Sequence, residues 1–101
     1  MSVYFAVKNS VNVITGVKQV NSNVINVNED GTENLFTDLS DHVSIDGFDQ
    51  EKIGNKYNAD GTFTAPGTDA QGNDQWFSFE TGNLMQNTYN AEGEITGEEE
   101  V

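Results

Sequence analysis

The residues best equipped for chemistry fall together at Leu39-Ser40-Asp41-His42-Val43, since a hydroxyl, a carboxylate and an imidazole are the parts of an acyl-transfer site. His42 is the sole histidine, and the chain has neither cysteine nor arginine. Neighbours in sequence do not face one another by default, and an imidazole works only when held against its nucleophile. His42 therefore reads as a surface or interface histidine. Paired carboxylates of the glycosidase kind are easy to draw from so acidic a sequence, but 101 residues leave little length for the cleft they need. No catalytic residue is assigned, and the expectation is a protein that is not an enzyme.

Metal chemistry has one candidate. Asn26-Val27-Asn28-Glu29-Asp30-Gly31-Thr32 places oxygen ligands at alternate positions before a glycine, as the first half of a helix-flanked calcium loop does. The twelfth position is Thr37 where that loop needs a bidentate glutamate, and the eighth is Glu33 where it needs an apolar residue. The segment is read as a turn, and so is the similar cluster Asp69-Ala70-Gln71-Gly72-Asn73-Asp74. No G-x-x-x-x-G-K or G-x-G-x-x-G string is present to cradle a phosphate. The sequence calls for no metal and no cofactor.

The elements around these residues read as short strands. Val3, Phe5 and Val7 alternate on one face; Val11, Val13, Ile14, Val17 and Val20 follow after an Asn-Ser break; Val24, Ile25 and Val27 follow after another. The strings N-S-V-N-V-I and N-S-N-V-I-N-V begin twelve residues apart and are taken as consecutive hairpin arms. Leu35, Phe36, Leu39 and Val43 have the offsets of one helical face, so a short helix is expected near 34–42, closed by Ile45-Asp46-Gly47-Phe48. Beyond it, Asp60-Gly61 separates Lys56-Tyr57 from Thr62-Phe63-Thr64 as a hairpin turn would, and Pro66 ends the strand before it. Gly72, Gly82 and Gly93 punctuate the remainder. The fold class expected is mainly β: a small antiparallel sandwich or barrel-like domain of short hairpins over residues 1–91. Residues 92–101, with five glutamates among residues 90–101 and few apolar groups, are expected to be a flexible acidic tail.

Charge excludes whole classes of partner. Seventeen acidic residues stand against four lysines, a formal net charge of −13. Affinity for DNA or RNA comes from neutralising phosphates with Lys and Arg, so nucleic acid is not an expected ligand, and neither is an anionic membrane surface. No apolar run approaches the roughly 20 residues of a membrane span, and the opening M-S-V-Y-F-A-V-K lacks the charged region of a secretory signal. Acidity of this degree keeps a protein soluble at high local concentration.

Aromatic residues supply the candidate contact surface. Trp76 and Ser78 fall on one face of a strand, with Phe77 and Phe79 on the other, so both faces carry bulk. Phe77 and Phe79 read first as core, with Trp76 partly covering an edge; the functional reading makes Trp76 an interface anchor of the type enriched at hot spots. Tyr57 and Phe63, flanking the Asp60-Gly61 turn, complete the set of candidate interface residues.

Two stretches carry a family resemblance. V-Y-F-A-V-K-N-S-V-N-V-I-T-G-V, residues 3–17, resembles the opening strands of small proteins from tailed-phage structural modules. I-G-N-K-Y-N-A-D-G-T-F-T-A-P, residues 53–66, resembles a recurring phage tail-protein string in which a glycine, a tyrosine, a D-G turn and an F-x-x-P ending form a closing hairpin. Together they span under a third of the chain, and residues 67–101 extend past where that pattern commonly stops. The resemblance implies an accessory structural protein of the virion, either a capsid decoration or a tail or fibre component, made in the bacterial host cytoplasm. Its expected partners are phage capsid or tail subunits and, as a homo-oligomer, further copies of itself, engaged through strand edges and apolar patches. Two other readings stand beside it: an acidic DNA mimic that inhibits a DNA-handling enzyme, and a tail-fibre assembly chaperone that leaves after morphogenesis.

Overall fold

A computed structural model describes residues 2–101. Ten short strands alternate with turns: β1 (Val3–Lys8), β2 (Ile14–Val20), β3 (Val24–Val27), β4 (Glu33–Leu35), β5 (His42–Ile45), β6 (Lys56–Tyr57), β7 (Phe63–Thr64), β8 (Trp76–Phe77), β9 (Leu84–Tyr89) and β10 (Ile95–Glu100). They build two three-stranded antiparallel sheets, ordered β2-β1-β5 and β10-β9-β8, and two separate hairpins, β3-β4 and β6-β7. The protein is mainly β, as expected, and its sheets do not close into a barrel. Its radius of gyration is 17.7 Å, against roughly 13 Å for a globular chain of about 100 residues, and it measures 66 × 24 × 22 Å. The hairpins thus form a rod instead of stacking face to face.

One turn design recurs along the rod. In 9–13, 28–32, 58–62, 69–73 and 90–94 the first amide donates to the fifth carbonyl at 2.7–3.0 Å, and the fourth amide donates back to the first carbonyl at 3.0–3.1 Å. The fourth residue has positive φ each time: Asn12 at 66°, then Gly31, Gly61, Gly72 and Gly93 at 81–90°. This is a type I turn closed by a bulge, whose left-handed residue favours glycine or asparagine. The first residue is always Asn or Asp, whose short side chain ties down the loop. Asn9, Asp69 and Asn90 each accept from the backbone amides two and four residues on, at 2.9–3.1 Å. In the other two, the aspartate before glycine accepts from a threonine: Asp30 from the Thr32 hydroxyl and Asp60 from the Thr62 hydroxyl, both at 2.6 Å. The half calcium loop of the sequence is one of these turns.

The core is small. Only Phe5, Ala6, Val13, Ile14 and Phe77 are buried hydrophobic residues among those described. β1 pairs with β2 from Val3↔Val20 onward and with β5 through Tyr4↔Ile45 to Val7↔His42, so Phe5, Ser44 and His42 share a face. The Phe36 ring closes over that face, 5.4 Å from Phe5 and 5.6 Å from His42. This accounts for the missing helix. Over 34–42 there is one 3₁₀ turn, Phe36–Asp38, and His42–Ile45 is a strand. A run of four apolar positions fits either period, and the open edge of β1 offered ladder bonds that a helix would have forgone.

A joint fastens the rest of the rod to this sheet. The main chain of Ile14 exchanges 2.8 Å hydrogen bonds with Asn55 and Gly54, and the Tyr57 amide donates to the Asn12 carbonyl. The Lys56 ammonium donates to the Gly82 carbonyl at 2.8 Å and lies 5.9 Å from the Phe77 ring centre. The Asn9 side-chain amide donates to the Phe79 carbonyl at 2.9 Å. Gly82, φ 75°, seats so close to the first turn that a methyl there would meet the Val11 carbonyl oxygen at 2.9 Å. Residues 92–101, set apart above as a tail, belong to the last hairpin: β10 pairs with β9 from Ile95↔Tyr89 to Glu100↔Met85. Among the described residues no helix is long and apolar enough to cross a membrane.

Candidate functional site

His42 is held by its surroundings in a way that suits packing. Its side chain is 8% exposed, with Nδ1 2.7 Å from the Asp41 carboxylate, and its ring meets Phe5 edge-on at 5.9 Å. Nε2 is buried and has no hydrogen-bond partner among the described residues. Both nitrogens are thereby kept from a substrate, one by Asp41 and the other by enclosure. The hydrogen bond from His42 in turn holds the Asp41 carboxyl below the usual carboxylate range. Among the described residues no three acidic or imidazole side chains converge as a metal-binding group.

The five candidate interface residues divide between two places. Tyr57 and Phe63 are cross-strand partners in the β6-β7 hairpin, both half-buried, with ring centres 5.4 Å apart. The Lys52 ammonium sits 5.2 Å from the Phe63 ring centre. Trp76 and Phe77 form β8, opposite Met85 and Leu84. Phe77 is core, at 9% exposure, while Trp76 is half-buried on the opposite face. Phe79 does not share the Phe77 face as a strand would require. β8 ends at Phe77, and Phe79 lies in the following turn at 57% exposure. Of the set, Phe79 alone is a large exposed apolar side chain.

Other contact surfaces were not legible as such. Ile25 and Val27 on β3, Phe48 and Ile53 beside the joint, and Ile95 near the far end all point into solvent. Each three-stranded sheet also ends in edge strands, β2 and β5 on one and β10 and β8 on the other, with β2 covered at Ile14 by Gly54 and Asn55. Between β5 and the tip of the β6-β7 hairpin runs an open groove of about 600 Å³, lined by Ser44, Ile45, Asp46, Phe48, Asp49, Lys52 and Phe63 among others. The sequence read Ile45-Asp46-Gly47-Phe48 as the end of a helix. The signal that could have found the groove was Phe48 itself, an aromatic residue just past a strand-ending Asp-Gly turn.

Electrostatically the surface is acidic, and several carboxylates are fixed in their charged form by local donors. The Thr32 hydroxyl, then its amide, hold Asp30 below the usual carboxylate range, and Thr62 does the same for Asp60. The Tyr89 hydroxyl, donating at 2.6 Å, lowers Asp69, and Lys52 lowers Asp49. Chemically the arrangement offers hydrogen-bonding strand edges, isolated apolar side chains and fixed negative charge, the means of contact between macromolecules. No protein-family model, curated protein or solved structure matches this chain.

Proposed function

We propose that this chain is an accessory structural subunit of a tailed-bacteriophage particle, a capsid decoration or a tail or fibre component, docking on capsid or tail subunits through strand edges and apolar side chains. The observation that carries the docking part is the shape: a 66 Å rod whose radius of gyration is 17.7 Å and whose described residues bury only five hydrophobic side chains. A chain of this size that fails to gather its apolar residues into one core leaves them for another surface to cover. The acidic exterior works in the same direction, since like charge discourages indiscriminate association and reserves binding for a matched partner. The phage part rests on residues 3–17 and 53–66, whose strings resemble tailed-phage structural proteins. In the fold these stretches are β1, its turn and the start of β2, and the β6-β7 hairpin with its flanks.

Mass spectrometry of purified particles tests the reading. The expected result is this chain at a fixed ratio to the major capsid protein. Its absence from particles, with the chain abundant in the lysate, would overturn it. Recovery on a DNA-handling enzyme would then favour the DNA mimic, and recovery only with unassembled fibre protein would favour the chaperone.

A further inference from the structure

β5 is an edge strand, and Ser44 and Ile45 at its C-terminal end line the groove described above. The Lys8 amide donates to the Asp41 carbonyl, and bonding to β1 then alternates along the antiparallel pair. Val43 and Ile45 therefore turn their main-chain groups toward β1, and Ser44 turns its N–H and C=O outward. Facing it are two aromatic rings, Phe63 half-buried and Phe48 half exposed at 50%, beside the Asp49 and Lys52 side chains. The charges are unequally placed. Asp49 is paired with Lys52 at 3.2 Å, whereas the Asp46 carboxylate makes no hydrogen bond or ion pair with the described residues.

We propose that this groove receives an extended segment of another protein, added to β5 as a fourth strand, with an apolar side chain against Phe48 and Phe63 and a Lys or Arg against Asp46. The inference rests on the docking reading above and names its surface. A second copy of this chain is a poor occupant: each copy carries −13, and pairing β5 with β5 would bring more uncompensated carboxylates to an edge that already has Asp46. A cationic strand meets both demands of the groove, ladder bonds at Ser44 and charge at Asp46.

The probe is a synthetic peptide of about ten residues alternating valine and lysine, titrated into the full chain and followed by amide chemical shifts. Saturable shifts at Ser44, Asp46 and Phe48 are expected. Replacing the peptide's lysines with glutamate, or N-methylating alternate amides to block the ladder, should each weaken binding about tenfold or more. On the protein side, Phe48→Ala should cost about tenfold and Asp46→Asn several-fold, and neither side chain is part of the core. Binding indifferent to N-methylation, shifts confined to Glu98, Glu99 and Glu100 on β10, or self-association through β5 would each overturn the proposal. N-methylation leaves the protein untouched, so the test survives a variant that fails to fold. Particle incorporation separates the two levels: a protein found in particles that binds no such peptide loses the groove and keeps the docking function, and one that binds the peptide yet never enters particles does the reverse.

Discussion

The sheet β2-β1-β5 and its bridge at Val13 keep Phe5, Ala6, Val13 and Ile14 wholly from solvent, whereas the sheet β10-β9-β8 encloses only Phe77, at 9% exposure. The first has a central strand flanked by two partners of four or more residues and is roofed by the Phe36 ring. The second has a two-residue partner on one side and, on the other, a strand ending in three glutamates. Both are antiparallel and three-stranded, so strand count and direction do not separate them. What separates them is where β-branched and aromatic side chains were placed. The first sheet carries the fold, and the second relies on the joint at Gly82 and Lys56 to stay in line.

The sharpest way to break this contrast is to empty each core in turn. Phe5→Ala should cost about 3–5 kcal/mol, enough to abolish much of the stability of a small domain, because the ring is wholly buried between Phe36 and His42. Phe77→Ala should cost about 2 kcal/mol, below the usual range for a buried ring because little surrounds it. Urea denaturation of both variants decides the matter: equal losses would mean that the two sheets share one core and the division proposed here is wrong.

The joint comes next. Gly82→Ala places a methyl 2.9 Å from the Val11 carbonyl oxygen at a φ of 75°, and should destabilise by roughly 1–3 kcal/mol. Hydrogen exchange should show the loss in β8, β9 and β10 while β1 stays protected. Uniform loss of protection would show that the rod opens as a single unit.

His42 sharpens the contrast within the first sheet. Its ring fills space that a phenylalanine could fill, and its buried Nε2 has no partner among the described residues. His42→Phe should therefore leave the melting temperature unchanged or raised, whereas His42→Ala should lower stability by about 2 kcal/mol. A large loss in the phenylalanine variant would show that the Asp41 bond at 2.7 Å outweighs the unsatisfied nitrogen.

β1, β2 and the hairpin turns were readable in the sequence, because strand alternation at Val3, Phe5 and Val7 and the Asp-Gly pairs are local signals. The common turn was readable too, had Asn or Asp been sought three residues before each glycine, as at Asn28, Asn58, Asp69 and Asn90. β5 was not, since four apolar positions fit a helical period until β1 is beside them. β10 was hidden by its composition: Gly97 and Glu98 to Glu100 read as tail until Thr88, Asn87, Gln86 and Met85 are found opposite. The closeness of Gly82 to Val11 joins residues some seventy positions apart, and the groove joins β5 to the tip of another hairpin. Nothing local encodes either contact.

Acid should act on the turns before the sheets. Asp30, Asp60 and Asp69 are held below the usual carboxylate range, chiefly by Thr32, Thr62 and Tyr89 respectively. A depressed folded-state pKa contributes stability above the unfolded value and loses it as pH falls through the folded one, so these contributions should begin to fade as pH drops below about 4. Amide exchange at 28–32, 58–62 and 69–73 should accelerate there. Turn 90–94, in which the uncharged Asn90 side chain and no carboxylate accepts the loop amides, should respond less, and equal acceleration in all four would remove the carboxylates from the explanation.

The smallest effect is expected from removing β10. Ile95 and Val101 remain 61% and 63% exposed even in place, so the strand buries little apolar area, and Glu98, Glu99 and Glu100 repel one another. Against its ladder bonds with β9 stands an ordering cost of about 1–2 kcal/mol per residue. The two nearly cancel. A chain ending at residue 94 should melt within about 5 °C of the full protein, and exchange should quicken only in β9, whose outer edge it uncovers. Were β10 instead essential to the second sheet, the truncated chain would lose protection across Trp76, Phe77 and the joint at Gly82 as well. That outcome would make the second sheet a cooperative unit in its own right and not a lightly built extension of the first.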